Sequence, residues 1–128
     1  MNKTIFLSGI VLGTLAVILG AFGAHGLEKM VDADAVGIFE TGVKYQLYHA
    51  LFLMILSNVK QLPEQSKKTV FLLIMVGTIL FSFSIYFLAT NTLTNFDFKT
   101  IGFVTPIGGL LLILGWSFLG YRVFRQWN

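Results

Sequence analysis

The stretch TVFLLIMVGTILFSFSIYFLAT, Thr69 to Thr90, runs for 22 residues without a single Asp, Glu, Lys or Arg. A bilayer hydrocarbon core about 30 Å thick needs roughly 20 helical residues per crossing, so this stretch is long enough to span one. On one side it is preceded by a polar, basic turn containing Lys60, Pro63, Glu64, Lys67 and Lys68. On the other it is followed by Asn91 to Lys99, rich in Asn and Thr. Polar and basic flanks of this kind hold the ends of a crossing in the headgroup layers.

Working outward, Ile5 to Ala24 is a second uncharged run of spanning length, with Gly9, Gly13, Ala16, Gly20 and Gly23 recurring at steps of three and four. Small residues on one helical stripe let a neighbouring backbone approach closely, which is how helices associate in lipid. The stripe predicts that the first helix sits inside a bundle. A cleaved signal peptide would also place Lys3 ahead of an apolar run, but this run exceeds a normal signal core, so retention is expected. Leu27 to Gly42 is the acidic connection, carrying Glu28, Lys29, Asp32, Asp34 and Glu40. The uncharged part of the next run, Tyr45 to Val59, is short for a span. Its helix is therefore expected to begin near Ala35 and to carry Glu40 and Lys44 in its first turns. The last apolar stretch ends at Tyr121, Arg122, Arg125 and Trp127, the aromatic and basic residues of an interface. Near its start, Thr105-Pro106 reads either as a helix cap followed by Pro at the first helical position, or as a kink in a helix begun near Thr100.

These runs predict an all-α membrane protein, a four-transmembrane-helix bundle in one domain over residues 1–128, with spans at about 5–24, 36–59, 69–90 and 101–121. Composition agrees: 55% hydrophobic and 12% charged residues, with a mean hydropathy of +0.79, leave too little polar surface to coat a soluble globule. Nine Lys and Arg against six Asp and Glu would suit a nucleic-acid partner if they shared a face. They sit instead at the ends of apolar runs, so no nucleic-acid partner is expected. Lys3, Lys60, Lys67, Lys68, Arg122 and Arg125 fall on one side, against Lys29, Lys99 and, counted with them, Lys44. Six against three puts both termini in the cytoplasm and the chain in the cytoplasmic (inner) membrane as a multi-pass protein. The chain has no cysteine, which excludes disulfides and thiolate metal sites.

With this topology, polar residues gather in the outer half of the spans. His25 ends the first helix, Thr41, Tyr45, Gln46 and His49 lie in the second, Ser82, Ser84 and Tyr86 in the third, and Thr105 at the head of the fourth. Thr41, Tyr45 and His49 recur at steps of four, as do Thr78, Ser82 and Tyr86. Each unpaired polar group costs several kcal/mol in hydrocarbon, so both stripes are expected to face inward. Two functions follow. In the first, an outer-half polar pocket binds or passes a small molecule, a lipid headgroup or a proton, with His25, Glu40, Tyr45, Gln46, His49, Ser82, Ser84, Tyr86 and Thr105 as candidate ligand-binding residues. In the second, the same groups are packing glue at about 1 kcal/mol each, in a non-catalytic accessory or assembly protein. His25, Glu28, Glu40 and His49 do not form a recognised metal-ligand set, so no metal or cofactor is expected. There is no Gly-x-Ser-x-Gly elbow and no Gly-rich phosphate loop, so no catalytic residue is assigned and the chain is not read as an enzyme. The partners this leaves are the lipid bilayer, a second copy of the chain or another membrane protein, and a small-molecule ligand of unknown identity.

Four motifs, Gly20-Ala-Phe-Gly-Ala-His25, Glu40-Thr-Gly-x-x-Tyr45-Gln46-x-x-His49, Phe81-Ser82-x-Ser84-x-Tyr86 and Phe103-Val-Thr-Pro-x-Gly-Gly109, resemble the domain-of-unknown-function 423 family. Its bacterial members are small inner-membrane proteins, and eukaryotic transmembrane protein 256 looks related. The resemblance covers nearly the whole chain and implies a four-helix membrane protein, but no substrate, cofactor or reaction. Phe83 stands between the two serines where the family pattern has Gly, which argues against close helix packing there.

Overall fold

A computed structural model describes residues 1–95 and 97–127. Helix α1 covers Asn2–His25 and α2 covers Ala33–Ser57. A long rod follows, made of α3 (Glu64–Thr78), a π-helical turn (Ile79–Phe83) and α4 (Ser84–Ala89), and α5 covers Val104–Gln126. Short 3₁₀ turns at Leu27–Lys29, Asn91–Leu93 and Phe98–Ile101 make the connections, and the described residues include no strand. Asp32 starts α2 by accepting the Ala35 amide on its side chain at 2.8 Å, a residue-by-residue match to N-capping chemistry. Pro106 is the third residue of α5, in the first turn, where a backbone N–H has no partner in the helix to lose. Helix α5 therefore starts ahead of Pro106 and well after Thr100. Thr105 is not its cap, for no side chain caps that end.

Asn2–Lys29, Glu64–Ala89 and Lys99–Gln126 are each long and apolar enough to cross a membrane. Helix α2 is not among them, because Glu40, Lys44, Gln46 and His49 interrupt its first two-thirds. What α2 lacks in apolar character it makes up in neighbours. It packs along α1 on one side and against α3, the π turn and α4 on the other, while α5 packs on α3 and the π turn. One hydrophobic core joins Ile5 and Leu12 of α1, Ala50, Leu53 and Leu56 of α2, Val70 and Ile74 of α3, and Leu112 of α5. A smaller cluster at the other end joins Leu27, Phe39, Tyr86 and Ala89.

The small-residue stripe of α1 meets α2, as a close-packing stripe must. A Cβ on Gly9 would lie 2.7 Å from the Ala50 carbonyl oxygen and 2.8 Å from Met54 Cγ, so the two backbones touch there. But the stripe serves one neighbour. Leu7, Val11, Val17 and Ile18 on the other faces of α1 are exposed, so α1 is a peripheral helix and not the interior one its glycines suggested. A narrow stripe can bury one face only, and the large apolar residues around it are content against lipid. The second close approach joins the π turn to α5: a Cβ on Gly108 would press on the Phe81 amide nitrogen and lie 2.9 Å from the Leu80 carbonyl carbon. Close packing thus occurs in this region despite Phe83, whose ring turns away to lie 5.6 Å from that of Tyr86.

Because backbone stands opposite Gly108, no side chain can yield to an added methyl. Gly108→Ala should destabilise the protein by about 1–3 kcal/mol, the usual range for overpacking. Gly120→Ala, at a position with nothing within 4 Å, should cost nothing. Thermal unfolding of both variants in the same detergent checks the contrast.

Candidate functional site

The inward face of α2 is Phe39, Gly42, Gln46, His49, Leu53 and Leu56, at alternating steps of three and four. This averages 3.5 residues per turn and keeps one face of a helix turned to its neighbours. Gln46 is completely buried, and its amide reaches two helices at once. Nε2 donates to the Leu12 carbonyl of α1 at 2.8 Å, and Oε1 accepts the Tyr86 hydroxyl of α4 at 2.6 Å. A carbonyl can only accept, so the amide has one possible orientation. One turn away, Ser82 in the π turn donates to the Gly42 carbonyl at 2.8 Å. The third helix is therefore tied to α2 twice.

His49 is held from both sides of its ring. The Trp116 indole N–H of α5 donates to Nε2 at 3.0 Å, while Nδ1 lies 2.7 Å from the Tyr45 carbonyl. Indole is a donor only, so Nε2 accepts, Nδ1 carries the proton and donates, and the ring is the neutral Nδ1–H tautomer. At the head of α5, Ser84 and Thr105 share a hydrogen bond of 2.6 Å. Since Ser84 also donates to the Phe81 carbonyl at 2.9 Å, Thr105 is the donor to Ser84. Thr105 thus works as a clasp between α4 and α5, a role neither the cap nor the kink reading of Thr105-Pro106 included.

Of the nine candidate residues, Gln46, His49, Ser82, Ser84 and Tyr86 are buried and Thr105 is half-buried. His25 and Glu40 are exposed and take no part in this network. Tyr45 is 41% exposed; its ring lies against Phe81, Tyr48 and His49, and only its carbonyl belongs to the hydrogen-bond network. Thr41 is exposed as well, its hydroxyl bonded to the Gly37 carbonyl of its own helix at 3.1 Å. The inward stripe of α2 is therefore Gly42–Gln46–His49 and not Thr41–Tyr45–His49. Steps of four overshoot a turn of 3.6 residues by about 40° each, which carries Thr41 and Tyr45 off the face that His49 shares. In the third helix Thr78, Ser82 and Tyr86 are all buried despite the same spacing. The π turn between them, wider than an α turn, absorbs the drift.

Trp116 is the functional neighbour that sequence reasoning missed. The signal was there: a tryptophan deep in an apolar span carries an N–H that needs an acceptor. The Leu12 carbonyl had no signal, because every residue has one. The Thr78 hydroxyl is buried with no hydrogen-bond partner among the described residues. Gln46, His49, Ser82 and Tyr86 do not line the main surface cavities. The largest, about 610 Å³, is bounded by Phe6, Leu51, Met54 and Ile55 among others, and one of about 240 Å³ lies beside Phe52 and Trp116. Among the described residues no three His, Cys, Asp or Glu side chains gather as metal ligands would. Chemically, the arrangement is a set of mutually satisfied donors and acceptors between helices.

The family described as "Protein of unknown function (DUF423)" matches residues 19–109. A UPF0382 membrane protein of Staphylococcus saprophyticus is 35% identical over 123 residues, covering 96% of this chain and 98% of its own. The UPF0382 membrane protein YwdK of Bacillus subtilis is 36% identical over 116 residues, with 89% and 90% covered. The UPF0382 inner membrane protein YgdD of Escherichia coli is 35% identical over 121 residues, with 92% and 87% covered. No solved structure is significantly similar.

The Gln46–Tyr86 hydrogen bond predicts a specific energetic coupling. Gln46→Leu strands the Tyr86 hydroxyl and Tyr86→Phe strands the Gln46 carbonyl, so each single change should cost about 1–2 kcal/mol. The double variant should cost clearly less than their sum, since neither change leaves an unanswered group in the presence of the other. Reversible unfolding in mixed micelles measures the cycle; strict additivity would show that the pair does not interact.

Proposed function

The chain belongs to the DUF423 family of membrane proteins, and from that premise we propose that it is a non-catalytic, four-pass protein of the cytoplasmic membrane with an accessory or assembly role. The observation that carries this reading is the closed hydrogen-bond network. Gln46, His49, Ser82, Ser84 and Tyr86 each answer another group of the same chain, so their role is to fasten α1, α2, α4 and α5 together. A polar pathway or pocket through these residues would need groups left open to a solute, and both nitrogens of His49 are already engaged.

Two observations support α2 as the fourth crossing. Its 25 residues extend about 37 Å, more than the hydrocarbon thickness. It also lies beside α1 along most of that length, from Gly9 against Met54 at one end to Gly23 against Phe39 at the other. A helix packed along a spanning neighbour occupies the same depth. Gln46 and His49, the polar groups in the middle of its length, are tolerated there because they are buried against neighbouring helices and not lipid. Four crossings put both termini on one side, and the excess of Lys and Arg at that end assigns it to the cytoplasm. The exposed rings of Tyr45, Tyr48 and Trp116 offer an accessory protein a surface for another membrane helix.

Topology is testable directly because the chain has no cysteine of its own. With a membrane-impermeant maleimide on intact spheroplasts, Glu28→Cys and Asn95→Cys should be labelled. Lys68→Cys should react only after permeabilisation; its labelling on intact spheroplasts together with Glu28→Cys would overturn the crossing by α2, and its labelling in place of Glu28→Cys would overturn the orientation.

The fastening role makes a second prediction. Proteoliposomes holding the protein should leak protons no faster than protein-free vesicles, as read by an enclosed pH-sensitive dye. A proton flux above that background that His49→Gln or Tyr86→Phe abolishes would restore the pathway reading.

A further inference from the structure

Gly9 holds α1 and α2 in backbone contact, and a surface cavity lies beyond it toward the start of α1 and the end of α2. Its volume is about 610 Å³, and it opens along Phe6, Leu51, Met54, Ile55 and Val59, with the amides of Asn58 and Gln61 at its margin. A second cavity, about 360 Å³, continues it past Asn2, Lys3, Leu7 and Ser57. Phe6 and Asn58 are walls of both. They meet at these two residues as a shallow trough, apolar along Leu51 and Ile55 and polar toward Asn2 and Lys3, each part within the volume range of small-ligand sites.

The chemistry of the mouth selects the occupant. Lys3 lines it, and Lys60 stands between Val59 and Gln61 of the lining. No Asp or Glu side chain contributes to either cavity. Asn58 turns its amide nitrogen to the Met54 carbonyl at 2.9 Å, which leaves its side-chain oxygen as an acceptor for a hydroxyl. On α2 the lining runs from Leu51 to Ser57 and continues past the helix end to Asn58, Val59 and Gln61, so its helical part is about 9 Å long, too short to seat another spanning helix. It suits the upper part of an acyl chain, whose remainder continues into the bilayer. The mouth sits at the helix ends, where a spanning pair meets the headgroups.

We infer that this trough seats an anionic phospholipid of the surrounding membrane, with one acyl chain along Phe6, Leu51 and Ile55 and its phosphate at the mouth beside Lys3 and Lys60. The inference rests on membrane residence alone, and it stands whether the protein is an accessory subunit or a conductor. Each lysine near an anionic membrane surface contributes about 1 kcal/mol, or about fivefold in relative affinity.

The test is native mass spectrometry of the protein released from nanodiscs of equal phosphatidylglycerol and phosphatidylcholine. The wild type should retain phosphatidylglycerol selectively, and Lys3→Gln and Lys60→Gln should each lower that preference about fivefold. Lys68→Gln and Arg125→Gln, which remove charge at the same end of the protein but outside the trough, should leave it unchanged. Equal retention of the two lipids, or an equal loss in all four variants, would mean an annular charge effect and overturn the site. A second measurement needs no variant: phosphatidylglycerol with a photoreactive acyl chain should label residues 3–11 and 51–61 of the wild type. Labelling spread evenly over α1 and α5 would also overturn it.

Discussion

Hydrocarbon holds no water to answer a stray amide, and Gln46 places one at the centre of this structure. Its side chain can be accommodated only where a donor and an acceptor arrive together, and they arrive from two different helices, as the Tyr86 hydroxyl and the Leu12 carbonyl. That requirement puts α2 between α1 and α4. It explains why the least apolar helix has neighbours on both sides. It also sets how near those neighbours stand, because an amide reaches only when the backbones approach closely. The bare surface of Gly9 against Ala50 on one side, and the small residue Gly42 beside Tyr86 on the other, allow that distance.

The same logic assigns the remaining polar groups. His49 brings Trp116 and with it α5, Ser82 ties the π turn to α2, and Thr105 clasps Ser84. Each is a bond worth on average less than about 1 kcal/mol in a membrane, so their combined value is more in specifying one arrangement than in raw stability. Apolar side chains alone would let helices rotate or slide past one another at little cost, since lipid tails are as apolar as Leu. A bond between a named donor and a named acceptor forbids this. The groups of this network are therefore answered within the chain, and the proposed contacts with other molecules lie on the surface, at rings on α2 and α5 and at the trough beside α1 and α2.

Much of this was legible in the sequence because it is local. The apolar runs marked the helices to within a few residues. The α1 glycines announced a close neighbour. Gln46, His49, Ser82, Ser84 and Tyr86 were identifiable as groups needing partners. The errors share one cause. The side of α1 left without a protein neighbour, the rotation that turns Tyr45 outward and Gln46 inward, and the use of Thr105 as a clasp all depend on where other helices lie.

The sequence by itself thus determined which segments are helical, which residues are small enough for backbone contact and which polar groups cannot be left unanswered, for these follow from periodicity and from the chemistry of single side chains. Only the tertiary structure decided which partner each polar group takes. Tyr86 and Leu12 meet Gln46 from positions 40 and 34 residues away, and Trp116 meets His49 from 67. The choice depends on the rotation of each helix about its axis, and the π turn at Ile79–Phe83 alters that rotation where no local pattern records it.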